Sequence, residues 1–292
     1  MQRSLARTKA RPVMRSSGRR PSLCFLHESL LPVEPLPYHG RVTNLVLRNI
    51  GKRFGRVTAV DGFDLAVDQG EFLVIIGESG CGKTTLLRII AGLETPDTGE
   101  ILIGGVPVND VPPGRRDVQL IFQSYALWPH MRVFEDRKYA NLTLPLRIRK
   151  WSVGAIRELI RPLAKALNIE ERLFDRKPPE LSAGQQQRVA LARAMTTYPQ
   201  IMLMDEPLSN LDPPNRRRVR AEIRAFHKEQ RLTTILVTHN LEDALELADR
   251  IALMHEGRLE QVGTAESLMR HPANEYVSDY FRVRPSYGVP FQ

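Results

Sequence analysis

Apolar runs broken by glycine set the organisation of this chain. Glu71 to Ile76 is a short, β-branched apolar run and predicts a buried strand. Lys83 to Leu93 carries apolar residues at helical spacing and predicts a helix, as does Val153 to Leu167. Ile201 to Met204 and Thr233 to Val237 predict two further strands. Strand-like and helix-like segments alternate from about residue 44 to 123 and again from 187 to 265, the pattern of a mostly parallel α/β core. Residues 124 to 186 are richer in helical pattern.

Chemistry enters between the first strand and helix. Gly77-Glu78-Ser79-Gly80-Cys81-Gly82-Lys83-Thr84 has the spacing of a phosphate-binding loop. Its glycines let successive backbone N–H groups turn inward toward phosphate oxygens, and the helix N-terminus adds partial positive charge. Lys83 is then placed for the β- and γ-phosphates and Thr84 for Mg²⁺, with Thr85 beside it in the first helical turn. Ile201 to Met204 ends in Asp205 and Glu206, which puts two carboxylates at the C-terminal end of a strand, where open parallel sheets bind ligands. Asp205 reads as a Mg²⁺ ligand and Glu206 as the base or orienting group for an attacking water. On residues alone, a helix cap is the bland alternative for this pair.

A second stretch, Leu181-Ser182-Ala183-Gly184-Gln185-Gln186-Gln187-Arg188, has no meaning on propensity grounds. It resembles the signature of ATP-binding-cassette (ABC) ATPases, and from about Val42 to Phe281 the chain resembles the nucleotide-binding subunit of an ABC importer. The resemblance implies a P-loop NTPase core with a mostly parallel sheet and an inserted helical subdomain at about 124–186. It implies that Phe54 stacks on adenine and that Gln123 touches Mg²⁺ and the attacking water. It further implies that Ser182 and Gly184, flanked by Ala183 and Gln185, bind the γ-phosphate of a partner's ATP. Ser209 to Asp212 matches the D-loop at the dimer seam, and His239 the switch histidine that contacts the γ-phosphate. Taken singly, Phe54 reads as well as a core aromatic, Gln123 as a surface amide and His239 as a structural residue at a strand end.

The family likeness implies ATP and Mg²⁺ as cofactors and a head-to-tail homodimer. It implies separate integral membrane permease subunits, a solute-binding protein behind them, and a peripheral place on the cytoplasmic face of the inner membrane. Import is the expected direction; an export or lipid-handling system, or a soluble non-transport ATPase, is the alternative. Tyr125 to His130 is expected to form the docking groove for a permease helix, with Trp128 as anchor and local core packing as the competing reading. Several residues depart from the family pattern: Ala183 in the signature, Cys81 in the phosphate loop, Asn210 in the D-loop, and a longer segment from Phe134 to Pro145. Cys81, near Lys83 and a helix N-terminus, is expected to favour the thiolate. Eleven residues follow Phe281, which argues against the sugar and polyamine classes, since these carry a further β-rich domain.

Charge and composition change little. The net charge is +9, but residues 1–40 hold seven basic residues and two acids and so supply +5 of it, which weakens a nucleic-acid reading of the whole chain, and no nucleic-acid partner is expected. Residues 1–41 read as a disordered, dispensable extension, an organelle transit peptide or a start-site artefact; 42–283 is the expected ATPase domain and 284–292 a tail. Two cysteines, Cys24 and Cys81, form no disulfide framework. No apolar run reaches the length of a membrane span.

Overall fold

The computed structural model describes residues 43–282; the 1–41 extension and the 284–292 tail assigned from sequence lie outside the described residues. Strand β3 (Phe72–Ile76) is buried at all five positions because it is central in a six-stranded sheet. Its order is β10-β9-β3-β8-β7-β6, built from β6 (Val118–Ile121), β7 (Ile201–Asp205), β8 (Thr233–Thr238), β9 (Arg250–His255) and β10 (Arg258–Gly263). All pairs are parallel except the edge pair β9–β10.

Strand period two sorts the apolar residues into two cores. Phe72, Val74, Ile76, Met202, Met204 and Leu236 face one; Leu73, Ile75, Ile201, Leu203, Ile235 and Val237 face the other. A sheet covered on both faces needs strands that are apolar throughout, which is why these segments read as continuous runs. The second core is closed by α1 (Lys83–Ala91) and by a separate four-stranded sheet of order β2-β1-β4-β5. That sheet comprises β1 (Thr43–Phe54), β2 (Val57–Asp68), β4 (Thr98–Ile103) and β5 (Val106–Pro107), all antiparallel. The mostly parallel expectation thus holds for the six-stranded sheet and not here. Turns as tight as Gly55-Arg56, between β1 and β2, join only antiparallel strands.

Between β6 and β7 the chain leaves the sheet and forms α2 (Leu144–Ile148), α3 (Val153–Ala166) and α4 (Ala183–Met195). Helix α5 (Pro213–Gln230) then leads into β8, and α6 (Leu241–Leu247) into β9. The last described elements are α7 (Ala265–Arg270) and α8 (Glu275–Arg282). The predicted helices start at the positions expected and stop slightly earlier. At α1 the stop is Gly92, a left-handed C-cap; the guanidinium of Arg116 covers the freed carbonyls of Ile89 and Ile90 at 2.9 and 3.2 Å.

One buried base under the sheet makes stability depend on pH. His227 of α5 is 5% exposed, lies against Phe72 and bonds Thr234 Oγ1 at 3.0 Å. Burial, helped by the nearby Arg224 charge, pushes its pKa from 6.5 down to about 4. Between those values the unfolded chain binds the extra proton, so stability is present above pH 6.5 and is lost as pH falls through about 4. The loss is at most about 3 kcal/mol at 1.36 kcal/mol per unit. Denaturant midpoints of the wild type should fall between pH 7 and 4.5, and those of His227→Gln should fall less steeply.

Candidate active site

The glycine loop, Asp205, Glu206 and His239 all lie at or just after the C-terminal ends of the parallel strands. β3 runs into the glycine loop and the loop into α1, whose N-cap is Gly82 at φ 107°. A Cβ at Gly82 would collide with the carbonyl of Ala59, and one at Gly77 with the carbonyl of Met254, so the cradle is shaped by what these residues lack. Glu78, Ser79 and Gly80 form the exposed rim, while Cys81 and Lys83 are buried. The Lys83 ammonium donates to the carbonyls of Gly77 and Glu78 at 2.9 and 2.7 Å, which centres it in the loop. A glycine-shaped loop, a helix N-terminus and a centred ammonium fit a polyphosphate.

Across from the loop, Thr84 Oγ1 donates to Asp205 Oδ1 at 3.0 Å. Burial raises the Asp205 pKa, the Glu206 carboxylate pushes the same way, and the Thr84 hydrogen bond opposes both. A hydroxyl and a buried carboxylate with excess negative charge beside it are the donor set of a hard divalent cation. Among the described residues, no group of three or more His, Cys, Asp or Glu side chains is placed to hold a metal by itself. Glu206 adopts φ 46°, a left-handed conformation that is strained for a glutamate, and is fixed there by its N–H to Val237 O at 3.0 Å. Its Oε1 lies 3.0 Å from His239 Nδ1. The two residues that the motifs singled out, 33 positions apart, are therefore in direct contact. Thr85 sits half-buried in the first turn of α1.

Gln123 is not brought to the Thr84–Asp205 pair. Its side-chain amide donates to Ser209 Oγ at 3.2 Å, and Asn210 Nδ2 donates to its backbone carbonyl at 3.2 Å. The departure at Asn210 therefore serves as a link between the glutamine loop and the D-loop. Ser209 also donates to Glu206 O at 2.9 Å, a second role that sequence reading did not assign. Phe54, at the end of β1, is 47% exposed with Lys52 Nζ 5.3 Å from its ring centroid. It is an open aromatic platform and not a core residue.

The signature opens α4. Ser182 is its N-cap and forms a capping box with Gln185, so its hydrogen bonds stay within this turn. Ala183 is not among the left-handed residues, so a glycine's freedom is not needed there. Gly184 is buried, and a Cβ on it would meet only Val219 at 3.9 Å.

One expectation is corrected. The Cys81 thiol is held above its usual pKa, not below: burial outweighs Lys83, 3.7 Å from the sulfur. Peptide-mapped maleimide labelling of Cys81 should therefore be slower at pH 7 than for an unperturbed thiol, and should accelerate with rising pH. In the 125–130 segment, Tyr125 is buried and Leu127 packs on the core, which leaves Trp128 and His130 toward the surface. Tyr125 and Ala126 both have positive φ; Arg193 holds their carbonyls at 2.9 and 2.6 Å and lies 4.8 Å from the Trp128 ring.

Fold and site together define a nucleotide-binding cassette of the phosphate-loop class. Comparison with known proteins agrees: the family model described as ABC transporter matches residues 60–209. The chain belongs to the ABC transporter family. It is 47% identical over 245 residues to the trehalose/maltose import ATP-binding protein of Thermococcus litoralis, covering 82% of this chain and 64% of that one. It is 45% identical over 234 residues to a spermidine/putrescine import ATP-binding protein of Trichormus variabilis, covering 80% and 60%. These names are of the sugar and polyamine classes that the short stretch after Phe281 argued against. The chain spans less than two thirds of the length of these curated relatives. A dimeric ATP-binding cassette solved in a post-hydrolysis state with ADP and Pi superposes with a TM-score of 0.66 at 32% identity, covering 75% of this chain and 98% of that one.

Proposed function

We propose that this chain is the ATP-hydrolysing subunit of a membrane transporter. The observation that carries the reading is the convergence of Lys83, the Thr84–Asp205 pair and the Glu206–His239 pair on one edge of the sheet. The loop amides and Lys83 bind the phosphates, and Phe54 supports the adenine. Thr84 and Asp205 would hold Mg²⁺, which when bound supplies charge neutralisation at the phosphates. Glu206 orients the attacking water and accepts its proton, and His239 fixes the Glu206 carboxylate while reaching toward the γ-phosphate.

The signature turn, Ser182 to Gln185, offers a helix N-terminus to a second nucleotide. A chain with one phosphate loop and one signature pairs head to tail with its own copy, each completing the other's site. The solved dimeric cassette supports pairing. The names of the relatives support import; on that reading permease subunits sit in the membrane, a solute-binding protein delivers cargo and this chain lies on the cytoplasmic face. Among the described residues no helix is long and apolar enough to cross a membrane. The purified chain should hydrolyse ATP in the presence of Mg²⁺ at a rate that rises faster than linearly with protein concentration. Trp128→Ala should keep that activity and lose co-purification with the membrane partner. A linear, concentration-independent specific activity would count against pairing.

A further inference from the structure

The mechanism leaves unexplained a buried charge network around α5. Arg220 is 2% exposed, yet its guanidinium meets three acids on α6: Glu242 at 3.4 Å, Asp243 at 3.5 Å and Glu246 at 2.8 Å. Asp243 is equally buried, and burying either charge alone is costly. The Asp243 carboxylate accepts from Thr238 Oγ1 at 3.4 Å, and Thr238 Oγ1 accepts from the N–H of Asn240 at 3.0 Å. His239 lies between those two residues. Asn240 then caps α6 by accepting from the amides of Glu242 and Asp243 at 2.8 and 3.3 Å. Arg220 therefore holds, through Asp243, both flanks of the peptide that carries His239.

One helical turn earlier, Arg216 grips a different loop. It donates to the carbonyls of Leu208 and Ser209 at 3.2 and 3.4 Å, in the D-loop segment that also touches Gln123 and Glu206. Positions four apart share a helix face, so the D-loop and the His239 loop hang from one side of α5. A third attachment ties α5 to the signature helix: Arg188 of α4 and Glu222 form a bidentate pair at 2.9 and 2.7 Å. Such planar, two-point pairing fixes orientation as well as distance. The Arg220 network is less well aligned. Its Nε and Nη1, and Asp243 Oδ1, are buried without an aligned hydrogen bond, which marks a network held by charge with geometric slack.

We propose that α5 is a rigid tie that sets the His239 loop, the D-loop and the signature helix in one register, with Arg216 and Arg220 as positioning residues for His239. The proposal rests on the ATPase reading for what His239 does, while the tie itself is a property of the chain alone. Signature, D-loop and switch loop belong to different half-sites of the paired cassette, so a shared anchor makes the state of one half-site felt in the other within a single subunit.

The test uses the full chain, with amide hydrogen exchange read without nucleotide and ATPase kinetics read with MgATP. In Arg216→Met, whose own bonds are to residues 208 and 209, the amides of 240, 242 and 243 should exchange about threefold faster. In Arg220→Lys, amides of both 209–211 and 240–243 should accelerate. For both variants kcat should fall about tenfold with the affinity for labelled ATP unchanged, the magnitude expected when coupling and not binding is lost. Acceleration confined to the loop that each arginine touches, with kcat unaltered, would overturn the tie. So would uniform acceleration across β1 and β2 with a lowered thermal midpoint in both variants, since that marks loss of general stability. Linked exchange in both variants, together with a wild-type chain that hydrolyses no ATP, would support the tie and overturn the ATPase reading.

Discussion

Glu206→Gln should reduce ATP turnover by about 10²–10⁴-fold, the usual contribution of a positioned general base. The amide keeps the side chain's size and its reach to His239, 3.0 Å away in the wild type, so the loss is of proton acceptance and not of shape. None of the phosphate-facing bonds involves Glu206: Lys83 donates to Gly77 and Glu78, and Thr84 meets Asp205. MgATP affinity should therefore stay within a few-fold of wild type, and the variant should accumulate as an ATP-bound dimer on size exclusion. Turnover near the wild-type rate would remove Glu206 from the chemistry. The left-handed φ of 46° at this position adds a stability signature. A glycine there would relieve strain of about 1–3 kcal/mol while abolishing turnover, so stability and activity should move in opposite directions.

Gly82→Ala should abolish nucleotide binding and destabilise the fold together. The added methyl faces a collision with the backbone carbonyl of Ala59, which cannot swing away as a side chain would. The backbone must also hold φ 107°, a region that costs an L-residue roughly 1–2 kcal/mol before any clash. Gly80→Ala separates the two terms. Its φ is 85° but no atom lies within 4 Å of the added Cβ, so only the strain remains. Thermal unfolding of the two variants should show a larger drop at Gly82, with labelled ATP bound by Gly80→Ala and not by Gly82→Ala. Equal drops would mean that the Ala59 contact carries no weight.

The parts of the site that follow from local sequence were legible. A strand apolar on both faces, a glycine loop and an amphipathic helix are each encoded within a few residues, and Phe72–Ile76, Gly77–Gly82 and α1 follow one another without interruption. The Asp205 and Glu206 pair was legible for the same reason, as the end of a strand. What the sequence hid depends on partners distant in the chain. The thiol of Cys81 looked activated from its neighbours Lys83 and the helix N-terminus, but the burial that decides its pKa comes from the surrounding core. Gln123 looked like a metal ligand, and its bond to Ser209 spans 86 positions. Arg220 carried no motif at all; in sequence it is one of several arginines on a helix, and only the packing of α6 shows that it is buried. The antiparallel sheet was missed because alternation of apolar residues does not state strand direction, whereas the short turns beside Gly55 and Gly104 do.

Arg193 gives helix α4 a mechanical advantage. The helix begins at the Ser182 cap and carries, eleven residues on, the guanidinium that grips Tyr125 and Ala126 and covers Trp128. At 1.5 Å per residue the arm between them is about 16 Å long. A tilt of about 10° pivoting at the serine end carries the arginine end through about 3 Å, roughly one hydrogen-bond length. The 125–128 turn is clasped by that arginine, so it travels with the arm. A small reorientation of the signature turn is thereby enlarged at the 125–128 turn, through one helix and one side chain.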